Sequence, residues 1–158
     1  AGFYIPEIES VYDEALNGVN LFKVGTSEEY DIFRERIFYN TPNLPNFVKE
    51  FMIDNAIKNQ SWYGKIFNEL ANLSPVKQGT KTIEEISLNS ICKEIKVPSK
   101  IFWGKHDTLF PYQTANFLTQ EIKGSKICIF ENIGHCPHLE NPKLFSQELI
   151  NFIGGANN

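Results

Sequence analysis

The chain has 158 residues, enough for one domain of ordinary size with a real core. Hydrophobic residues make up 42 % of it and aromatic residues 13 %, which excludes a disordered chain. Lys and Arg number 15 against 19 Asp and Glu, a net charge of −4 with no basic cluster, so no nucleic acid partner is expected.

In chain order, residues 1–25 read as loop-rich, with one short helix over 8–16 ended by the turn-forming pair Asn17-Gly18. Thr26 and Glu29, three apart, form a capping-box pattern that opens a helix running to about Phe38. Tyr30, Phe33 and Ile37 lie on one stripe of it. Residues 40–45, with Pro42 and Pro45, break the pattern. A second helix is expected from Asn46, where Phe47, Phe51 and Ala56 are spaced for one face and Val48 and Met52 lie alongside. A third carries Trp62, Ile66, Phe67 and Leu70. Short amphipathic helices joined by polar breaks make a lid rather than a sheet extension. Residues 74–82, with Pro75 and Gly79, read as a hinge-like return to the core.

Residues 83–96 are expected to form a further helix with Leu88, Ile91 and Ile95 inward. Pro98 then forces an extended approach to a strand over 100–103. A helix over 111–122 follows, with Ala115, Leu118 and Ile122 on one stripe, and after Gly124 a second strand over 126–130. Strand, helix, strand is a parallel βαβ unit. Asn141 caps a final helix with Pro142 in its first position and Gly154-Gly155 at its end.

Each strand stops at a loop with an ionisable residue at its head, Asp107 in the first and His135 in the second. Chemistry in open α/β sheets gathers at the carboxyl ends of the strands. A carboxylate and an imidazole delivered there suit a pair in which the acid orients and stabilises the base. His106 and His138 read as packing or exposed neighbours of that pair. Cys92, Cys128 and Cys136 are too few and too scattered for a disulfide framework or a zinc site, and Cys128, mid-strand, reads as core. Cys136 is rejected as a nucleophile, because adjacent side chains in a loop do not form an in-line pair with His135. Glu140 either caps the last helix or holds the His135 loop, and no chemical role is assigned to it.

The pattern Trp103-Gly104-x-x-Asp107-x-x-x-Pro111, followed about two dozen residues later by Gly134-His135-x-x-x-x-Glu140-x-Pro142, resembles the C-terminal end of an α/β-hydrolase. Residues 26–70 are similar to the cap of lipases near the monoacylglycerol lipases. The resemblance implies an α/β fold, the C-terminal part of an α/β-hydrolase with parallel strands flanked by helices and an α-helical cap. It divides the chain into a lead-in and cap over 1–82 and a core part over 83–158. It also implies that Asp107 and His135 are two members of a Ser-His-Asp triad. The cap residues Phe47, Phe51, Met52, Trp62 and Phe67 are first of all helix-packing residues, and some of them are expected to line a substrate tunnel.

The family carries its nucleophile on a Gly-x-Ser-x-Gly elbow, and no serine here sits in that frame. Ser125 follows Gly124 but lacks the rest, and Ser27 opens a helix. The chain is therefore expected to be a fragment whose parent hydrolyses an apolar ester of the lipid or monoacylglycerol type, and to be inactive alone. Two alternatives stay open: another capped hydrolase acting on C–C bonds, epoxides or haloalkanes, or a non-catalytic piece. No metal and no organic cofactor is implied. Expected partners are the ester substrate and either the N-terminal half of the same hydrolase or a second copy joined through the open edge of strand 100–103. No apolar run approaches the ~20 residues that span a bilayer, while peripheral contact with a membrane is left open. A cytoplasmic or membrane-associated location is the expectation.

Overall fold

The computed structural model describes residues 3–71 and 87–155. The expected hinge at 74–82, the boundary expected at 82/83 and the first residues of the helix expected over 83–96 lie outside them.

The first half is helical. Helix α1 (Val11–Leu16) opens on a reciprocal capping box, with the Tyr12 N–H donating to Ser10 and the Ser10 N–H donating to Asp13 at 2.8 Å. Gly18 then turns the chain at a left-handed φ of 84°. Helix α2 (Ser27–Ile37) is capped by Thr26, whose hydroxyl accepts the Glu29 N–H at 3.1 Å. The Glu29 carboxylate, however, accepts from the Gly25 N–H at 2.7 Å, so the return half of the expected box is displaced by one residue. Helices α3 (Asn46–Lys58) and α4 (Gln60–Ala71) follow, and Lys49 ties α3 to Asp31 of α2 at 2.6 Å.

Residues 89–94 form a 3₁₀ helix (Asn89–Glu94), not the regular α-helix expected there. With three residues per turn, Leu88 and Ile91 eclipse one another on the outer side and are exposed, contrary to expectation. Cys92 takes the inward place and is fully buried, and Ile95 packs against it. Asn89 reaches back to both backbone groups of Tyr4, fastening the start of the chain to this turn.

Strands β1 (Lys100–Gly104) and β2 (Lys126–Phe130) pair in parallel, from Lys100 opposite Lys126 to Gly104 opposite Phe130. Helix α5 (Gln113–Glu121) makes the crossover. Period-two alternation sends Ile101 and Trp103 to the cluster of Cys92, Leu118 and Ile122. Phe102 and Phe130 point to the opposite face, where Phe145 of α7 (Pro142–Gly155) meets them at centroid distances of 5.3 and 6.3 Å. A one-turn helix α6 (Pro137–Glu140) precedes α7. Asn141 caps α7 through the Leu144 N–H at 3.1 Å, and the helix includes Gly154 and Gly155. No described helix is long and apolar enough to cross a membrane.

Candidate active site

The loop after β1 is built around Asp107. One carboxylate oxygen, Oδ1, accepts the backbone N–H groups of Leu109 and Phe110 at 2.9 and 3.0 Å. The Phe110 carbonyl in turn accepts the Trp103 indole N–H at 2.8 Å, and the Leu109 carbonyl accepts the N–H of Val11 at 2.9 Å. These bonds leave the second oxygen, Oδ2, aimed at one partner, the imidazole of His135, whose Nδ1 lies 2.9 Å away. The Asp107 side chain is 4 % exposed and that of His135 35 %, so the acid is enclosed and the base is accessible. With Nδ1 protonated toward Asp107, the lone pair of the neutral ring lies on Nε2, the arrangement a general base needs.

The His135 loop is brought there by close backbone approaches. Lys105 donates to the Phe130 carbonyl and His106 to that of Ile133, each at 2.9 Å, so pairing continues past the strand ends. A Cβ on Gly104 would lie 1.9 Å from the Gly134 carbonyl oxygen. A Cβ on Gly134 would lie 2.7 Å from both the Ile37 carbonyl oxygen and the Tyr39 nitrogen. Both positions therefore require glycine, for contact rather than for φ. Glu140 completes the loop. Its Oε1 accepts the Gly134 N–H at 2.7 Å, and its Oε2 accepts those of Tyr39 and Asn40 at 2.9 and 3.0 Å. Of the two roles weighed for it, it takes the loop-holding one, while Asn141 does the capping.

The end of α2 holds both loops. The His135 N–H donates to the Ile37 carbonyl at 2.7 Å. Arg36 binds the Glu14 carboxylate through two nitrogens at 2.7 and 3.0 Å, and its Nε donates to the Thr108 hydroxyl at 3.2 Å. That hydroxyl donates to the Arg36 carbonyl at 2.8 Å.

The imidazole of His135 forms part of the wall of an apolar cavity of about 470 Å³, within the range of small-ligand sites. The rest of the wall includes Tyr12, Phe33, Ile37, Ile66, Leu109 and Phe110. Of the cap residues singled out from sequence, Phe67 lines this cavity and Met52 a second one of about 290 Å³. Phe47, Phe51 and Trp62 line neither and are 73, 68 and 61 % exposed. Helix α3 carries apolar side chains all round, so its spacing did not show which of them turn inward. The lining residues Leu109 and Phe110 were signalled only by following Asp107. His106 stacks on Tyr39 at 4.2 Å and His138 on the edge of Phe145 at 6.0 Å, both apart from the pair. Burial pushes the Cys136 thiol up, and Glu140 and Asp107 push it the same way, so it is not poised as a thiolate.

This arrangement, with its sheet and helical cover, superposes on the solved structure of a membrane phospholipase A described as a bacterial virulence factor. The TM-score is 0.83 at 24 % identity, over 100 % of this chain and 47 % of that one. A putative lipase from Acinetobacter baumannii gives a TM-score of 0.81 at 22 % identity, over 99 % of this chain and 50 % of that one. The chain has a partial α/β-hydrolase fold with a helical cap. Among curated relatives, the monoacylglycerol lipase ABHD6 of Mus musculus is 27 % identical over 133 residues, 84 % of this chain and 37 % of that protein. Lipase 1 of Psychrobacter immobilis is 25 % identical over 140 residues, 89 % of this chain and 41 % of that protein. The chain thus spans about two fifths of the length of these relatives. No family model matches it.

Proposed function

We propose that this chain supplies the acid and the base of a serine hydrolase that cleaves apolar, lipid-type esters, and that the nucleophile comes from residues outside this sequence. One observation carries the reading: an imidazole oriented at 2.9 Å by an enclosed carboxylate borders an apolar cavity beneath helices. In the reaction, Nε2 of His135 takes the proton of the nucleophile's hydroxyl as its oxygen attacks the ester carbonyl. It then returns the proton to the departing alcohol, and water repeats the cycle on the acyl-enzyme. Asp107 holds the tautomer and stabilises the imidazolium. The apolar walls take the acyl chain and exclude water. The lipase names among the relatives support this substrate class.

In this reading the complement also supplies a strand for the free edge of β1, since among the described residues the sheet has two strands and a sheet that small is poorly stable by itself. The test is fluorophosphonate labelling with intact-mass analysis of the purified protein. A labelled partner that co-purifies with this chain, and loss of label in His135→Ala, is the expected result. Labelling that survives His135→Ala would overturn the assignment.

A further inference from the structure

An apolar cavity of about 470 Å³ between the helices and the two loops adjoins one of about 290 Å³ among the helices, and Phe22 and Phe33 line both. We infer that the smaller one is a second hydrocarbon subsite, with Phe22 and Phe33 as the partition that sets how much acyl chain the site admits.

Adjoining apolar spaces of this size fall in the range of small-ligand sites and suit hydrocarbon. The smaller cavity is walled by Phe22, Val24, Tyr30, Phe33, Met52 and Tyr63, among others, which brings α2, α3 and α4 together around it. Its lining is chiefly apolar, so the ligand chemistry it fits is hydrocarbon. The two partition rings differ in support. Phe33 sits within α2, one turn before Ile37, whose carbonyl holds the His135 loop. Phe22 sits in the turn before α2, with its N–H on the Asn20 side chain at 3.0 Å and its ring stacked on Tyr63 at 6.2 Å. The partition thus has one ring on the helix and one on the turn that leads into it. Hydrocarbon that fills the larger cavity beside His135 has its next apolar room past these two rings. That hydrocarbon is either the far end of one long acyl chain or the second chain of a two-chain lipid.

The inference rests on the ester-hydrolase reading for its turnover arm and not for its binding arm. In the binding arm, straight-chain fatty acids from hexanoate to palmitate are titrated against the protein and against Met52→Trp, which fills the smaller cavity away from the partition. Each methylene lodged in apolar surroundings is worth about 0.8 kcal/mol, or roughly fourfold in affinity. Met52→Trp should therefore lower the palmitate-to-hexanoate affinity ratio by more than tenfold, and Phe22→Ala should raise it. Met52→Trp with an unchanged ratio, or with equal losses at every length, would overturn the subsite. Thermal unfolding of each variant separates a misfolded cap from a filled cavity, and Ala56→Leu gives a milder filling that should move the ratio the same way. In the turnover arm, a loss on long one-chain esters identifies the far end of a single chain, and a loss confined to two-chain phospholipids identifies the second chain. Length-selective binding without any ester turnover, once the chain is joined to the residues that supply the nucleophile, would leave the subsite standing and sink the hydrolase reading. Turnover with no length-selective effect of Met52→Trp would do the reverse.

Discussion

Gly104→Ala probes how the two loops are held against each other. The new Cβ would lie 1.9 Å from the Gly134 carbonyl oxygen and 2.5 Å from that of Ile133, where ordinary contact begins at 3.4 Å. The Gly134 carbonyl must therefore retreat by about 1.5 Å. It has nowhere to go, because Gly134 already abuts Ile37 and Tyr39 and its N–H is held by Glu140. Overpacking of this kind costs about 1–3 kcal/mol and sometimes more, and with backbone on both sides the upper end, ~3 kcal/mol, is expected. For a domain of this size that is a fall in Tm of roughly 6–12 °C. His135 is the next residue, so a shift approaching 1.5 Å also takes Nδ1 out of hydrogen-bonding range of Asp107. Calorimetry reads the first effect, and the downfield proton resonance of the bonded Nδ1–H reads the second. A variant within about 1 kcal/mol of the native protein, with that resonance in place, would refute the close-contact account.

Glu140→Gln leaves one oxygen for three backbone donors and turns an amide NH₂ toward one of them. A loss of about 1–3 kcal/mol is expected, with hydrogen exchange speeding up together at Tyr39, Asn40 and Gly134; faster exchange at Gly134 alone would mean the carboxylate does not bridge the two segments. Asp107→Asn keeps the size of the side chain but loses the charge and favours the wrong imidazole tautomer. In the proposed hydrolase kcat should drop by on the order of 10³–10⁴ with little change in KM, and a drop below tenfold would remove Asp107 from the proposed triad. Lys100, by hydrogen bond and charge, holds the Glu148 carboxyl below its usual 4.5. A carboxyl lowered by folding adds stability that is present above its unfolded value and is lost as pH falls below 4.5 and through the folded value. The pair is exposed enough that the effect is small, but native protein should lose more stability on acidification below 4.5 than Glu148→Gln. Parallel acid curves would show that the bond contributes nothing.

The parallel βαβ unit could be read from sequence because Ala115, Leu118 and Ile122 recur at helical spacing between two short β-rich runs. Asp107 and His135 stood out for the same reason: each follows a strand directly, so the topology delivers both to one edge. The cap was less legible. Phe47, Val48, Phe51, Met52, Ile53, Ala56 and Ile57 surround α3 almost completely, so periodicity cannot say which side is inward, and Phe47 and Phe51 face out. The lining of the larger cavity comes instead from Phe33 and Ile37 on the stripe of α2 and from Leu109 and Phe110 in the acid loop. The turn at 89–94 was misread because a period of 3.6 was applied to a segment that winds at three residues per turn. Glu140 joins segments a hundred residues apart, and no local pattern encodes such a bond.

The cap is not one piece mechanically. Residues 36–40 at the end of α2 hold Thr108 beside the acid and the backbone of the His135 loop, and share Glu140 with it. Lifting α2 would dismantle the pair it covers, so it serves as a foundation rather than a door. Among the described residues, α3 and α4 make no such bond to either loop. Exchanging them for other helices would leave in place the bonds that hold the two loops together.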